Sequence, residues 1–229
     1  MNNCILCHRK LFQKIESQWL FSLKPLSKAT ICEECEQTFV TFENEEICEG
    51  CGRLEKQKWC QDCLRWKEKG YLSLHNRAIF VYQNEAMKDY FQKYKFMGDY
   101  YMRNVWQAKF SQYIRKNYPP KKWRYIPIPV SQATMQTRGF NQVEGLIKGL
   151  KLDHDLIVAQ QSKQVQSQKN RKQRMENHQI FEYVGPKIIN QKNILLIDDI
   201  YTTGRTLYFA QELVQKHTVK EIKSVTLAR

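Results

Sequence analysis

The sequence predicts an α/β protein: a twisted, mainly parallel sheet with helices on both faces, preceded by a small cysteine-rich domain. Three observations predict it. The tetrad Ile194 to Ile197 is continuously apolar, as a strand buried on both faces must be, and two acids, a hydroxyl-rich turn and the amphipathic run Thr206 to His217 follow it. All eight cysteines lie within the first 63 residues, in four Cys-x-x-Cys pairs. The net charge of +14 is segregated: residues 1–70 hold eleven basic and eleven acidic side chains, leaving the other 26 basic and 12 acidic ones to residues 71–229. The polar stretch around Gly70 marks the expected boundary between domains 1–70 and 71–229.

The N-terminal pairs are Cys4/Cys7, Cys32/Cys35, Cys48/Cys51 and Cys60/Cys63. The start of the chain lacks a basic segment followed by an apolar core, so no secretory signal is read there and disulfides are not expected. Each pair is a knuckle whose two thiolates can reach one metal, and two pairs complete a tetrahedral Cys₄ zinc site. Four pairs argue for two zinc ions. Sequential pairing is favoured, with Cys4, Cys7, Cys32 and Cys35 on one ion and Cys48, Cys51, Cys60 and Cys63 on the other; spacing alone also allows interleaving. A closed Cys₄ shell leaves no open position for chemistry, so both ions are expected to be structural. His8 follows a knuckle and is read as a bystander.

After the boundary, Arg77 to Tyr82 reads as a strand, and Glu85 to Phe96 and Tyr101 to Tyr118 carry apolar residues at helical spacing. Their aromatics interleave with lysines and arginines, a pattern that single-stranded nucleic acid can use, although a core of aromatics under a solvated basic face reads as well. Lys121 to Tyr125 is a second basic and aromatic cluster. Tyr125 to Pro129 is a short strand ending on prolines, and Val143 to Leu150 a helix. From Ser162 to Asn177 the chain is polar and basic without period, a loop fit to close over an anion or follow a phosphate backbone. No apolar run approaches membrane-spanning length, so no membrane insertion is expected.

The stretch after the last apolar tetrad is a phosphate cradle. Gly204 permits a positive φ, Thr206 is the expected N-cap, and free N–H groups would meet an anion beside the Thr202 and Thr203 hydroxyls. Asp198 and Asp199 would repel a bare anion, so they must serve donors, and vicinal ribose hydroxyls are good ones. Four apolar residues, two acids, an apolar residue, any residue, Thr-Thr-Gly, any residue and Thr resemble the phosphoribosyl-pyrophosphate (PRPP) motif of type I phosphoribosyltransferases. That resemblance implies a phosphoribosyltransferase-like sheet domain. It also implies a PRPP site formed by Asp198, Asp199, Thr202, Thr203, Gly204, Arg205 and Thr206, with Pro129, Val130 and Ser131 in the pyrophosphate loop and Mg²⁺ carried on the diphosphate.

Arg138-Gly139-Phe140-Asn141-Gln142, then Gln166, Arg171, Arg174, Asn177 and Phe181, together with the cysteine-rich N-terminus, resemble the ComF family of competence proteins, ComFC type. Val165 and Lys169 depart from its pattern around Gln166. The resemblance implies a cytoplasmic protein, recruited to the inner face of the membrane by DNA-uptake partners. It would receive single-stranded DNA and partner a ComFA-type helicase or translocase ATPase. Arg138, Lys169, Arg171, Lys172 and Arg174 are the candidate contacts to nucleic acid or pyrophosphate, since Arg binds phosphate oxygens in pairs. Two other readings stand beside this one: an active phosphoribosyltransferase with a nitrogen acceptor, and a PRPP-sensing interaction module. No catalytic residue is assigned.

Overall fold

The structure is a computed structural model that describes residues 3–11, 29–42, 45–159, 179–187, 193–217 and 220–229. Four parallel strands form its centre in the order β1 (His75–Phe80), β6 (Glu221–Ala228), β5 (Asn193–Ile200), β2 (Trp123–Pro127). Along β5 the side chains alternate as the two-residue period demands: Leu195 and Ile197 enter one core, Ile194 and Leu196 the other. The strand is longer than its apolar tetrad. β6 pairs with it as far as Ile200↔Ala228, so Asp198 and Asp199 are strand residues rather than the start of the turn.

On one face, α3 (Glu85–Phe91) passes through a π-helical turn (Gln92–Phe96) and a short 3-10 turn (Tyr100–Met102) into α4 (Arg103–Asn117). Their Met87, Tyr90, Phe91, Tyr94, Trp106 and Phe110 are core against Leu195, Ile197 and Val225. The aromatic half of the basic and aromatic pattern is therefore mostly packing. The same holds at Lys121 to Tyr125, where Trp123 and Tyr125 are buried and Arg124 pairs with Asp155 and Asp153 at 2.7 and 3.2 Å.

The opposite face combines α7 (Arg205–Val214) with the second cysteine unit and its helix α2 (Gln61–Glu68). Trp66 stacks on Tyr208 with centroids 4.5 Å apart, and Cys48, Cys51, Cys60 and Cys63 share one core with Leu196, Leu207 and Phe209. The first cysteine unit, with α1 (Glu33–Gln37), leads into Phe39, whose ring lies 4.7 Å from Trp106. Thr41 then bridges Phe80 antiparallel, and Val81 N donates to Val40 O at 2.9 Å, covering the open edge of β1.

Two expected elements differ. The helix expected over Val143 to Leu150 is a single turn, α6 (Gln142–Gly145), and Gly149 takes φ +67°, which no right-handed helix contains. The N-cap of α7 is Gly204 at φ +81°, with no side-chain cap, so Thr206 sits inside the first turn. A second, antiparallel pair, β3 (Leu156–Val158) and β4 (Phe181–Tyr183), flanks the loop after β2. The basic loop between them falls outside the described residues.

Candidate functional site

A cavity of about 550 Å³ opens at the carboxyl ends of β2 and β5, where open α/β sheets hold their ligands. Its wall takes Pro129, Val130 and Ser131 from the loop after β2, Arg138 from the end of α5 (Gln132–Arg138), and Asp198, Asp199, Thr202 and Thr206 from β5 and beyond. The Ser131 hydroxyl is engaged as the cap of α5, accepting from Thr134 N at 3.1 Å. Thr203, Gly204 and Arg205 are not in this wall: Arg205 is exposed with its guanidinium 5.2 Å over the Phe209 ring, and Gly204 lies close against the Tyr201 ring. Lys169, Arg171, Lys172 and Arg174 fall outside the described residues.

The two acids have different surroundings. Asp198 Oδ1 accepts from Asp199 N at 2.8 Å; burial, then the neighbouring Asp199 charge, push its carboxyl well above the usual carboxylate range. Asp199 Oδ1 accepts from Ile200 N at 2.7 Å. Its Oδ2 forms an ion pair with Lys95 Nζ at 2.6 Å, with both side chains largely buried. A carboxylate keeps acceptor capacity beyond one ion pair, and on a cavity wall that capacity suits a hydroxyl donor. Lys95 was one of many interleaved lysines in the sequence, and no local signal separated it from the others.

The turn after β5 is anchored from behind. Arg229 donates to Tyr201 O and Thr202 O at 3.2 and 3.1 Å, and Trp66 Nε1 donates to Thr203 O at 2.9 Å. In a trans peptide the carbonyl and the following N–H point in opposite directions. Drawing three successive carbonyls toward Arg229 and Trp66 therefore turns the N–H groups of Thr202, Thr203 and Gly204 the other way. None of the three has a hydrogen-bond partner among the described residues. Such a run of outward N–H groups is an anion-binding nest.

The Arg138 to Gln142 segment acts as a brace. Arg138 donates to Lys95 O at 2.9 Å and to Gln142 Oε1; Gly139 ends α5 in the left-handed conformation. Phe140 stacks on Tyr94 at 5.1 Å, Asn141 caps α6, and Gln142 O accepts from the Tyr94 hydroxyl at 2.9 Å. Together they fix the π-helical turn that carries Lys95.

The cysteines gather as Cys4, Cys7, Cys32 and Cys35, and as Cys48, Cys51, Cys60 and Cys63, each set with all thiols within 4.8 Å of one another. Pairing is sequential. Sulfur separations of 3.7 Å (Cys7–Cys32, Cys48–Cys63) and 3.5 Å (Cys51–Cys60) are close to the edge of about 3.8 Å that a tetrahedron with Zn–S near 2.3 Å requires. Both groups could hold zinc. Four thiolates around Zn²⁺ leave two negative charges, and each group has an arginine beside it: Arg9 Nε lies 3.3 Å from Cys7 Sγ, and Arg229 3.3 Å from Cys51 Sγ. Arg229 thus touches both the second cysteine group and the anion nest. Gly50 O and Cys51 O are tied to the sheet by Asn76 at 2.7 and 3.2 Å.

A family model described as the phosphoribosyl transferase domain matches residues 133–229. The chain is 34% identical over 226 residues to competence protein ComFC of Streptococcus pneumoniae, covering 99% of each chain. It is 33% identical over 231 residues to competence protein ComFC of Bacillus subtilis, covering 99% of this chain and 94% of that one. Competence protein F of Haemophilus influenzae is 24% identical over 220 residues, covering 89% and 92%. Among solved structures, adenine phosphoribosyltransferase of Saccharomyces cerevisiae matches with TM-score 0.32 and 18% identity over 56% of this chain and 69% of that one.

Proposed function

The chain belongs to the ComFC family of competence proteins, and from that membership we propose that it handles incoming single-stranded DNA in natural transformation, with a PRPP-type site as a binding or regulatory site. The observation that carries the reading is the extent of the likeness: 99% of this chain and 99% of the pneumococcal ComFC, so the cysteine-rich segment and the sheet are shared as one unit. The excess of 14 positive charges, all beyond residue 70, supports a polyanion as partner.

At the site, ribose hydroxyls donate to Asp198 and Asp199, and phosphate rests on the nest at Thr202 to Gly204, with the Pro129 to Ser131 loop on the far side of the cavity. Lys95 already neutralises one carboxylate, so Mg²⁺ enters on the diphosphate rather than residing beforehand. Arg138, Lys169, Arg171, Lys172 and Arg174 meet DNA or pyrophosphate, each cysteine group holds a structural Zn²⁺, and the domain boundary lies near residue 70. A ComFA-type ATPase is the partner, and the location is cytoplasmic, at the inner face of the membrane during uptake. No helix among the described residues is long and apolar enough to cross a membrane.

The test is a titration of labelled single strands and of PRPP–Mg²⁺, separately and together. Strand affinity should fall with salt, the slope of log K against log salt being about −0.7 per neutralised phosphate. No strand binding at low salt by folded, zinc-loaded protein would overturn the reading. A second reading, a working phosphoribosyltransferase, is favoured by one observation: the two acids and Thr202 share one cavity wall, where PRPP would need them. Acceptor-dependent release of pyrophosphate would move it ahead.

A further inference from the structure

The turn between the π-helical segment and α4 reverses the burial of its surroundings. Tyr90, Phe91 and Tyr94 are at most 1% exposed, whereas Phe96, Met97 and Tyr101 are 78%, 72% and 64% exposed and Tyr100 43%. Four large apolar side chains presented within six residues are an interaction surface rather than scattered exposure. The turn is held in place. Asp99 accepts from Tyr101 N at 3.0 Å, Tyr100 packs on Phe140 at 4.7 Å, and Arg138 holds Lys95 O from below. A cation borders it: the Arg103 guanidinium lies 3.8 Å over the Tyr100 ring. Phe96 belongs to the wall of the ribose-site cavity. Tyr100 lines a second hollow of about 530 Å³, and the two hollows share Pro129 and Val130.

We infer that this turn is a stacking platform for the unpaired bases of single-stranded DNA, with Phe96 and Tyr101 offering the rings and Arg103 drawing the backbone past them. The inference rests on the DNA-handling reading and says where the bases go. A free nucleobase would be enclosed over most of its surface; rings open to solvent suit a strand passing over them. A duplex keeps its base faces stacked inside and has none to offer. Ring stacking reads no base edge, so the platform takes any sequence.

Phe96 and Tyr101 are exposed, so Phe96→Ala with Tyr101→Ala should leave the melting temperature close to that of the natural chain. The natural chain should bind oligothymidylate at least about fivefold tighter than an abasic strand of equal length, the least that one stacked base supplies. The double variant should lose that preference while keeping the salt slope. Phe96→Trp should give indole fluorescence quenched by oligothymidylate and not by the abasic strand. Equal binding of both strands by the natural chain, or an unchanged preference in the double variant, overturns the platform, leaves the DNA reading standing and points to an apolar protein partner on this turn. Failure to bind either strand overturns both.

Discussion

Asp198 combines burial on the central strand with a charged neighbour one residue away, and this makes it the residue where function and stability conflict. Its side chain is enclosed, its Oδ1 is held by Asp199 N, and burial raises its carboxyl well above the usual carboxylate range. The folded chain therefore holds this proton to higher pH than the unfolded chain does. As pH rises from the ordinary carboxylate range through the raised folded value, the unfolded state gives up the proton first and folding stability is lost. Asp198→Asn keeps the acceptor and removes the titration. It should melt higher than the natural chain at pH 7, by about 2–4 °C for each kcal/mol recovered, and the gap should close as pH falls toward 4. The same change should weaken PRPP by about tenfold, equal to about 1.4 kcal/mol. A variant no more stable at pH 7, with unchanged PRPP affinity, would show that Asp198 is scaffold. The pair of acids was legible in the sequence because two carboxylates beside a phosphate turn need a reason. Lys95, 2.6 Å from Asp199, was not, because it comes from another element more than a hundred residues away.

Among the elements, the turn between β5 and α7 depends most on its neighbours. Its Thr-Thr-Gly pattern shows that a tight, phosphate-compatible turn can form. The direction of its N–H groups depends on Arg229 and Trp66, which hold the carbonyls of Tyr201, Thr202 and Thr203. Arg229→Lys replaces a fork of donors by one ammonium that cannot reach two carbonyls and Cys51 Sγ together. The buried Tyr201 carbonyl left without a donor costs about 1–3 kcal/mol. Faster amide exchange at residues 201 to 204 and PRPP binding weakened by about tenfold or more should follow, and Trp66→Phe should do the same to a smaller degree. Natural exchange and natural affinity in both variants would mean that the turn orients itself. The π-helical turn shows a similar dependence: Arg138 reads in the sequence as a candidate phosphate contact, and in the fold it and Gln142 brace the backbone that carries Lys95.

On the scale of the whole molecule, the cysteine-rich segment is part of the core. One cysteine unit closes the edge of β1 through Thr41, and the other forms half of a face with α7. If each Cys₄ group holds one zinc, metal analysis of reduced protein should find about two per chain. Stripping the metal should then do more than unfold residues 1–70. Loss of the second site frees Arg229 and Trp66, so PRPP affinity should fall and residues 201 to 204 should exchange faster before the sheet melts. Chelated protein that binds PRPP as well as the loaded form would show that the two sites are independent.

The sequence by itself determined the parallel-sheet class, the two sets of metal-type knuckles, the acids with their phosphate turn, and the segregation of charge. Each of these is written in neighbouring residues: an apolar tetrad, a three-residue spacing, a run of hydroxyls, a count of lysines. Tertiary structure decided what those pieces touch. It set the sequential pairing of cysteines, the extension of β5 through both acids, the shortening of the helix after Asn141, and the exposure of Phe96 beside the burial of Tyr94. Arg229 meets Cys51 across 178 positions and Trp66 meets Thr203 across 137. Contacts at such separation arise when a sheet closes and two faces compete for the same apolar surface, and no window of neighbouring residues records which side chain wins.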